Sequence, residues 1–271
     1  MKYGIDALGA VRFKKELLKS IGPGMVCGFF YTTFSKDNQS GKEGKALLED
    51  LCKAQCSEIV VHLAPFDNIH RYPIKDLMPK LRVWAAEVES VSKRYPSTVI
   101  LLSPFAEHNH GSKEMIPVFA ELKKIAPSCL MLNSIWRGDF VRGTVGEIHL
   151  ENSKSLPAKP GGDYTISFDG FGGDGSGNYP DTNVQAILLK YADARHIRCW
   201  NFRFNGKFGD EDKTPISDRN CWPSREYIVQ MLSMMRAREG SVTFKDQLYK
   251  AVAEDHPPEK ASWKDNKALV I

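Results

Sequence analysis

The chain has 271 residues, 42% of them hydrophobic and 26% charged, the composition of an ordinary globular protein with length enough for one sizeable core. Lysine plus arginine number 37 against 33 aspartates and glutamates, a formal charge of +4 that is too small and too evenly spread to mark a nucleic-acid surface. No apolar run is long enough to span a bilayer, so neither nucleic acid nor membrane is expected as a partner.

The opening MKYGIDALGAVRFKKELLKS holds no continuous apolar stretch ahead of its charges and does not read as a secretory signal. A cytoplasmic location, or release by a non-classical route, is the expectation. Cys27, Cys129 and Cys199 fall in predicted strands as small buried hydrophobes. Cys52 and Cys56 are four apart on a helix face, and Cys221 stands alone, so a reduced, disulfide-free chain is expected.

In chain order, Tyr3–Ile5 is a very short strand with Asp6 at its exit, and residues 11–20 form a basic amphipathic helix stopped by Gly22, Pro23 and Gly24. Met25–Phe30 is an apolar strand leading to Tyr31. A helix over 43–56 carries Leu47, Leu48 and Leu51, and Ile59–Leu63 forms the next strand, with His62 near its end. The helix over 76–93 presents Leu77, Leu81, Trp84, Val88 and Val91 on one side. Thr98–Leu102 is β-branched and apolar throughout, a strand buried on both faces. It opens into Glu107, His108, Asn109 and His110. After a helix over 113–125, Cys129–Leu132 ends in Asn133, Ser134, Ile135, Trp136 and Arg137. Residues 138–162 are irregular, with one short strand allowed at Glu147–Leu150, and a connection of that length suggests a lid or binding loop.

Tyr164–Phe168 ends in Asp169 and the glycine-dense DGFGGDGSGN, which lacks both the spacing of a dinucleotide fingerprint and that of a calcium loop. A helix over 182–193 precedes the strand Ile197–Phe204, which bears Asn201 and Arg203. Helices near 224–238 and 244–253 follow, and the terminal ALVI offers a last strand.

Seven strands alternating with helices, and an eighth assigned to the tail, predict a single α/β domain over residues 1–271 built as a (β/α)8 barrel, complete or degenerate. A doubly wound open sheet is the competing architecture. In a barrel the polar groups at the strand ends would ring one cavity. Acid–base chemistry on an acetal requires two carboxylates facing the bond, one protonated and one charged. Glu107 is the chosen proton donor, its pKa raised by burial near Phe105 and by a neighbouring carboxylate, and Asp169 the base or nucleophile. Tyr31, His62, His108, Asn109, Asn133, Trp136, Arg137, Asn201 and Arg203 would bind the sugar, with aromatic faces for the rings and polar groups for the hydroxyls. The plain alternatives are a capping role for Glu107 and a turn role for Asp169 in Asp-Gly. No cofactor is called for. A metal-dependent hydrolase using His62, His108, His110 and Asp169 is the second enzymatic reading.

The segment SPFAEHNHG resembles the RxxHExNG segment that closes the fourth strand of family 26 glycoside hydrolases, the β-mannanase-like barrels. MLNSIWR resembles that family's next strand, and YTISFDGFGG its sixth. The resemblance covers roughly residues 97–173 and implies a barrel fold, a polysaccharide or oligosaccharide substrate, Glu107 as acid/base, Asn109 as the asparagine of the same segment and Asp169 as a cleft residue. Two departures stand out. Ala106 occupies the place of the histidine before the catalytic glutamate, and the strand over 197–204, which should bring a glutamate nucleophile, offers Asn201 and Arg203, with carboxylates only at Asp210, Glu211 and Asp212. An altered hydrolase, or a carbohydrate-binding barrel that does not cut, both fit this pattern. A monomer and an oligomer fit it equally.

Overall fold

The computed structural model describes residues 2–6, 18, 21, 23–32, 41–64, 73–106, 108, 110–135, 140–150, 157–168 and 190–200. Within them lie eight strands: β1 (Lys2–Asp6), β2 (Val26–Phe30), β3 (Glu58–Ala64), β4 (Val99–Phe105), β5 (Leu130–Ser134), β6 (Val145–Leu150), β7 (Tyr164–Phe168) and β8 (His196–Trp200). Each pairs in parallel with its neighbour in sequence, and β8 pairs with β1, so the sheet closes into a barrel and the open-sheet alternative falls away. Three helices stand among these residues: α1 (Lys42–Lys53) after β2, α2 (Ile74–Arg94) after β3 and α3 (Ser112–Ile125) after β4.

The strands form because both their faces find apolar or paired company. Ile59, Val61 and Leu63 on β3, with Ile100 and Leu102 on β4, point outward into a layer shared with Leu47, Leu48 and Leu51 of α1 and Leu81, Trp84, Ala85 and Val88 of α2. Val60, Leu101, Leu132 and Val145 occupy the alternate positions and pack together inside the barrel. Every residue of this core is nearly devoid of solvent contact, and each buried leucine contributes roughly 2 kcal/mol relative to exposure. α1 approaches β2 so closely that a Cβ on Gly44 would lie 2.1 Å from the Tyr31 carbonyl oxygen. α2 is tied to the α3–β5 turn by Glu89, which accepts from the Ser128 amide at 3.1 Å and the Ser128 hydroxyl at 2.9 Å.

Two expectations need revision. The eighth strand is β6, which takes in the short strand allowed at Glu147–Leu150 within the stretch read as irregular, and not the terminal ALVI, which lies outside the described residues. The reason is that VGEIHL turns Glu147 and His149 inward, so it shows no apolar run. Helix α1 ends at Lys53 rather than 56, because Gln55 takes a left-handed backbone with φ 61°. The predicted helices over 11–20 and 182–193 fall mostly, and those over 224–238 and 244–253 wholly, outside the described residues. Cys27, Cys52, Cys56 and Cys129 are buried thiols in no disulfide, and Cys221 lies outside the described residues. No helix among the described residues is long and apolar enough to cross a membrane.

Candidate functional site

In a parallel barrel all strand C-termini share one rim, and here the interior changes character on the way to it. Alternation and register place Val26, Val60, Leu101, Leu132 and Val145 in the lower interior, and Ser103, Glu147, Arg198, His62, Ser134, Ser167 and His149 above them. All seven upper residues are buried or nearly so, with the His149 side chain 8% exposed.

The charged groups form one connected column. At the lower mouth the Lys2 ammonium donates to Glu58 Oε1 at 2.7 Å, and Arg195 Nε donates to Glu58 Oε2 at 3.0 Å. His196 Nδ1 meets the same Oε2 at 2.7 Å, and its Nε2 lies 2.5 Å from Arg198 Nη1. A guanidinium only donates, so His196 Nε2 accepts and Nδ1 carries the proton that Glu58 receives. That arrangement fixes a neutral imidazole. Burial, opposed by the Glu58 hydrogen bond and reinforced by the Arg198 charge, lowers the His196 pKa from 6.5 to about 4. For Glu58, burial acts upward but is outweighed by His196, Lys2 and Arg195, which bring it down to about 2.

Higher in the barrel, Arg198 Nη2 donates to Glu147 Oε1, both side chains fully buried. Glu147 Oε2 stands 3.1 Å from His149 Nε2 and 3.9 Å from His62 Nε2. Burial alone would raise the Glu147 pKa, yet Arg198, His149 and His62 hold it well below the usual carboxylate range. His149 Nε2 is also 2.9 Å from Ser134 Oγ. A bare lone pair on that nitrogen would face the Glu147 carboxylate, so Nε2 carries a proton, held between Glu147 Oε2 and Ser134 Oγ. With that proton in place, His149 Nε2 is not a general base for Ser134.

Of the residues singled out from sequence, His62 joins this interior group. His108 and Asn133 are brought together, His108 Nε2 lying 2.8 Å from Asn133 Oδ1 with both residues buried, but Asn133 alternates with Leu132 and Ser134 and so sits on the outward face of β5. A further bridge pairs His108 with Ile135, extending the β4–β5 seam at the rim. His110 packs on Phe105 with ring centroids 5.7 Å apart, and its Nδ1 meets Glu114 Oε2 at 3.2 Å. Tyr31 is placed elsewhere. Its ring is buried between barrel and helices, and its hydroxyl donates to Glu87 Oε2 at 2.8 Å, so it does not reach the interior. Glu107, Asp169, Asn109, Trp136, Arg137, Asn201 and Arg203 lie outside the described residues, although Glu107 falls between the buried Ala106 and His108, and Asp169 directly follows β7. Among the described residues no group of three His, Cys, Asp or Glu side chains is disposed to hold a metal ion.

Sequence reasoning missed Glu58, Ser103, Ser134, Glu147, His149, His196 and Arg198. The signal was present as even spacing within strands: Glu58 with His62, Glu147 with His149, and His196 with Arg198 each share one face of a strand. No protein-family model matches the chain, and no curated protein matches it.

Proposed function

We propose that the chain is a (β/α)8-type glycoside hydrolase acting on a polysaccharide, with Glu107 as the proton donor and Asp169 as base or nucleophile. The observation that carries this reading is the closed parallel barrel: β4 and β7, whose C-terminal ends lead into Glu107 and Asp169, are three strands apart on one rim. In such barrels reacting groups come from the ends of several different strands. The polar upper interior supports it further, since His62 and its neighbours give the rim a floor rich in hydrogen-bonding groups. Asn109, Trp136, Arg137, Asn201 and Arg203 would complete the sugar contacts around the mouth, and His108 with Asn133 would brace the loop that bears Glu107. Tyr31, committed to Glu87, has no part in this reading.

The test is a reducing-end assay on a broad polysaccharide panel with the parent chain, Glu107→Gln and Asp169→Asn. Each variant should lose about 10²-fold or more of the parent's rate on whichever glycan is cut. A parent that cuts nothing would leave the non-catalytic carbohydrate-binding barrel as the reading. Cleavage that survives both substitutions would remove the assigned carboxylates.

A further inference from the structure

The register of the sheet sets His196 of β8 directly opposite Lys2 of β1, at the junction where the last strand meets the first and the barrel closes. Both ring nitrogens are committed there. Nδ1 donates to Glu58 Oε2 at 2.7 Å, and Nε2 accepts from Arg198 Nη1 at 2.5 Å. A second proton has only Nε2 to go to, and on that atom it would set a donor against the guanidinium donor. The surrounding charges add to the conflict. Facing the ring are Lys2 from β1, Arg195 and Arg198 from β8, Glu58 from β3 and Glu147 from β6, three cations against two carboxylates, and an imidazolium would be a fourth cation. His62 and His149 lie beyond, against the far oxygen of Glu147. The Arg198 side chain is fully buried, so in a close-packed interior it has nowhere to turn while the strands keep their places. Burial, aided by the Arg198 charge and opposed by Glu58, accordingly keeps the ring neutral down to about pH 4, where an imidazole in water takes its proton near 6.5.

We infer that the β8–β1 junction is an acid-sensitive latch: a proton on His196 Nε2 expels Arg198 from its place, and the junction parts locally while β3 and β4 stay paired. Those two strands share a continuous apolar layer with α1 and α2, in which no group titrates in this range, whereas the side chains that cross the junction are charged. Parting the junction gives His196 its ordinary affinity for a proton, so the open form binds one proton more than the closed form throughout this interval. Because Arg198 is also the partner of Glu147, release of the latch unpairs the carboxylate beneath His62 and His149. The latch does not depend on the substrate assigned above.

The experiment is amide hydrogen exchange on the full ¹⁵N-labelled chain between about pH 7 and pH 4.5, expressed as protection factors so that the chemical pH dependence is removed, with and without urea below the unfolding transition. Protection of the β1 and β8 amides should fall about tenfold per pH unit below about pH 6.5, the mark of one proton taken up on opening, and should respond little to urea. The β3 and β4 amides should remain at least about tenfold better protected at every pH. His196→Gln should remove the pH dependence from β1 and β8. Constant protection of β1 and β8 across the range, or protection equal to that of β3 and β4, overturns the inference, the second because the junction would then open only with the whole molecule. A slope that persists in His196→Gln overturns it as well, and should that variant fail to fold, the comparison of strands within the wild-type chain decides.

Discussion

Truncating Arg198 alone would strand the Glu147 carboxylate in the barrel without its counter-charge and strip His196 of its donor. Arg198→Met should therefore cost about 3–5 kcal/mol, read as a fall in the denaturant midpoint. Removing both charges at once is a different change, because nothing is then left unpaired. Arg198→Met combined with Glu147→Leu should recover most of that loss. If the double variant is no more stable than the single one, the pair holds the barrel together by more than mutual compensation. The same residues show why the interior escaped sequence reading. A glutamate or histidine inside a short strand resembles the solvated face of an amphipathic strand, and only closure of the sheet reveals that Glu147, His149 and Arg198 face one another.

At the level of the elements, α1 lies hard against the end of β2. With Gly44 against the Tyr31 carbonyl, even one methyl group requires α1 and β2 to separate. Gly44→Ala should destabilise by about 1–3 kcal/mol despite the better helix propensity of alanine, and a thermal melt checks it. An unchanged or raised melting temperature would mean the helix slides outward freely. The helices α1, α2 and α3 were legible from sequence because their apolar faces repeat at helical spacing, with Leu47, Leu48 and Leu51, or Leu81, Trp84, Val88 and Val91, turned to the barrel. The strands β2, β3 and β4 were legible from their short apolar runs, Met25–Phe30, Ile59–Val61 with Leu63, and Val99–Leu102. β6 was legible only as the short strand allowed at Glu147–Leu150, since its inward face is charged and its outward Ile148 and Leu150 are too few to form a strong pattern.

For the whole molecule, the column of buried charges links folding to pH. An unfolded His196 takes up a proton near pH 6.5, while the folded one resists until about pH 4. Between those values the unfolded state binds more protons, so stability is complete above about pH 6.5 and falls as pH drops toward 4, by about 3 kcal/mol at most. Glu58, depressed from 4.5 to about 2, acts in the same direction lower down: its contribution is present above 4.5 and vanishes as pH falls through 2. The two groups share a hydrogen bond and titrate as a pair, so their effects do not simply add. Denaturant midpoints should decline already between about pH 6.5 and pH 4.5, ahead of ordinary carboxylate titration. His196→Gln, which retains a donor and an acceptor without a titrating ring, should flatten that upper part of the curve. A wild-type curve flat down to pH 4.5 would contradict the buried neutral imidazole.

The locked tautomer of His196 has one more consequence. Its Nδ1 proton sits at the seam where the last strand meets the first, sheltered from water and shared with a carboxylate. Such a proton resonates far downfield and trades places with solvent only when the seam parts. The chain thus contains its own unlabelled gauge of whether the ring of strands is shut.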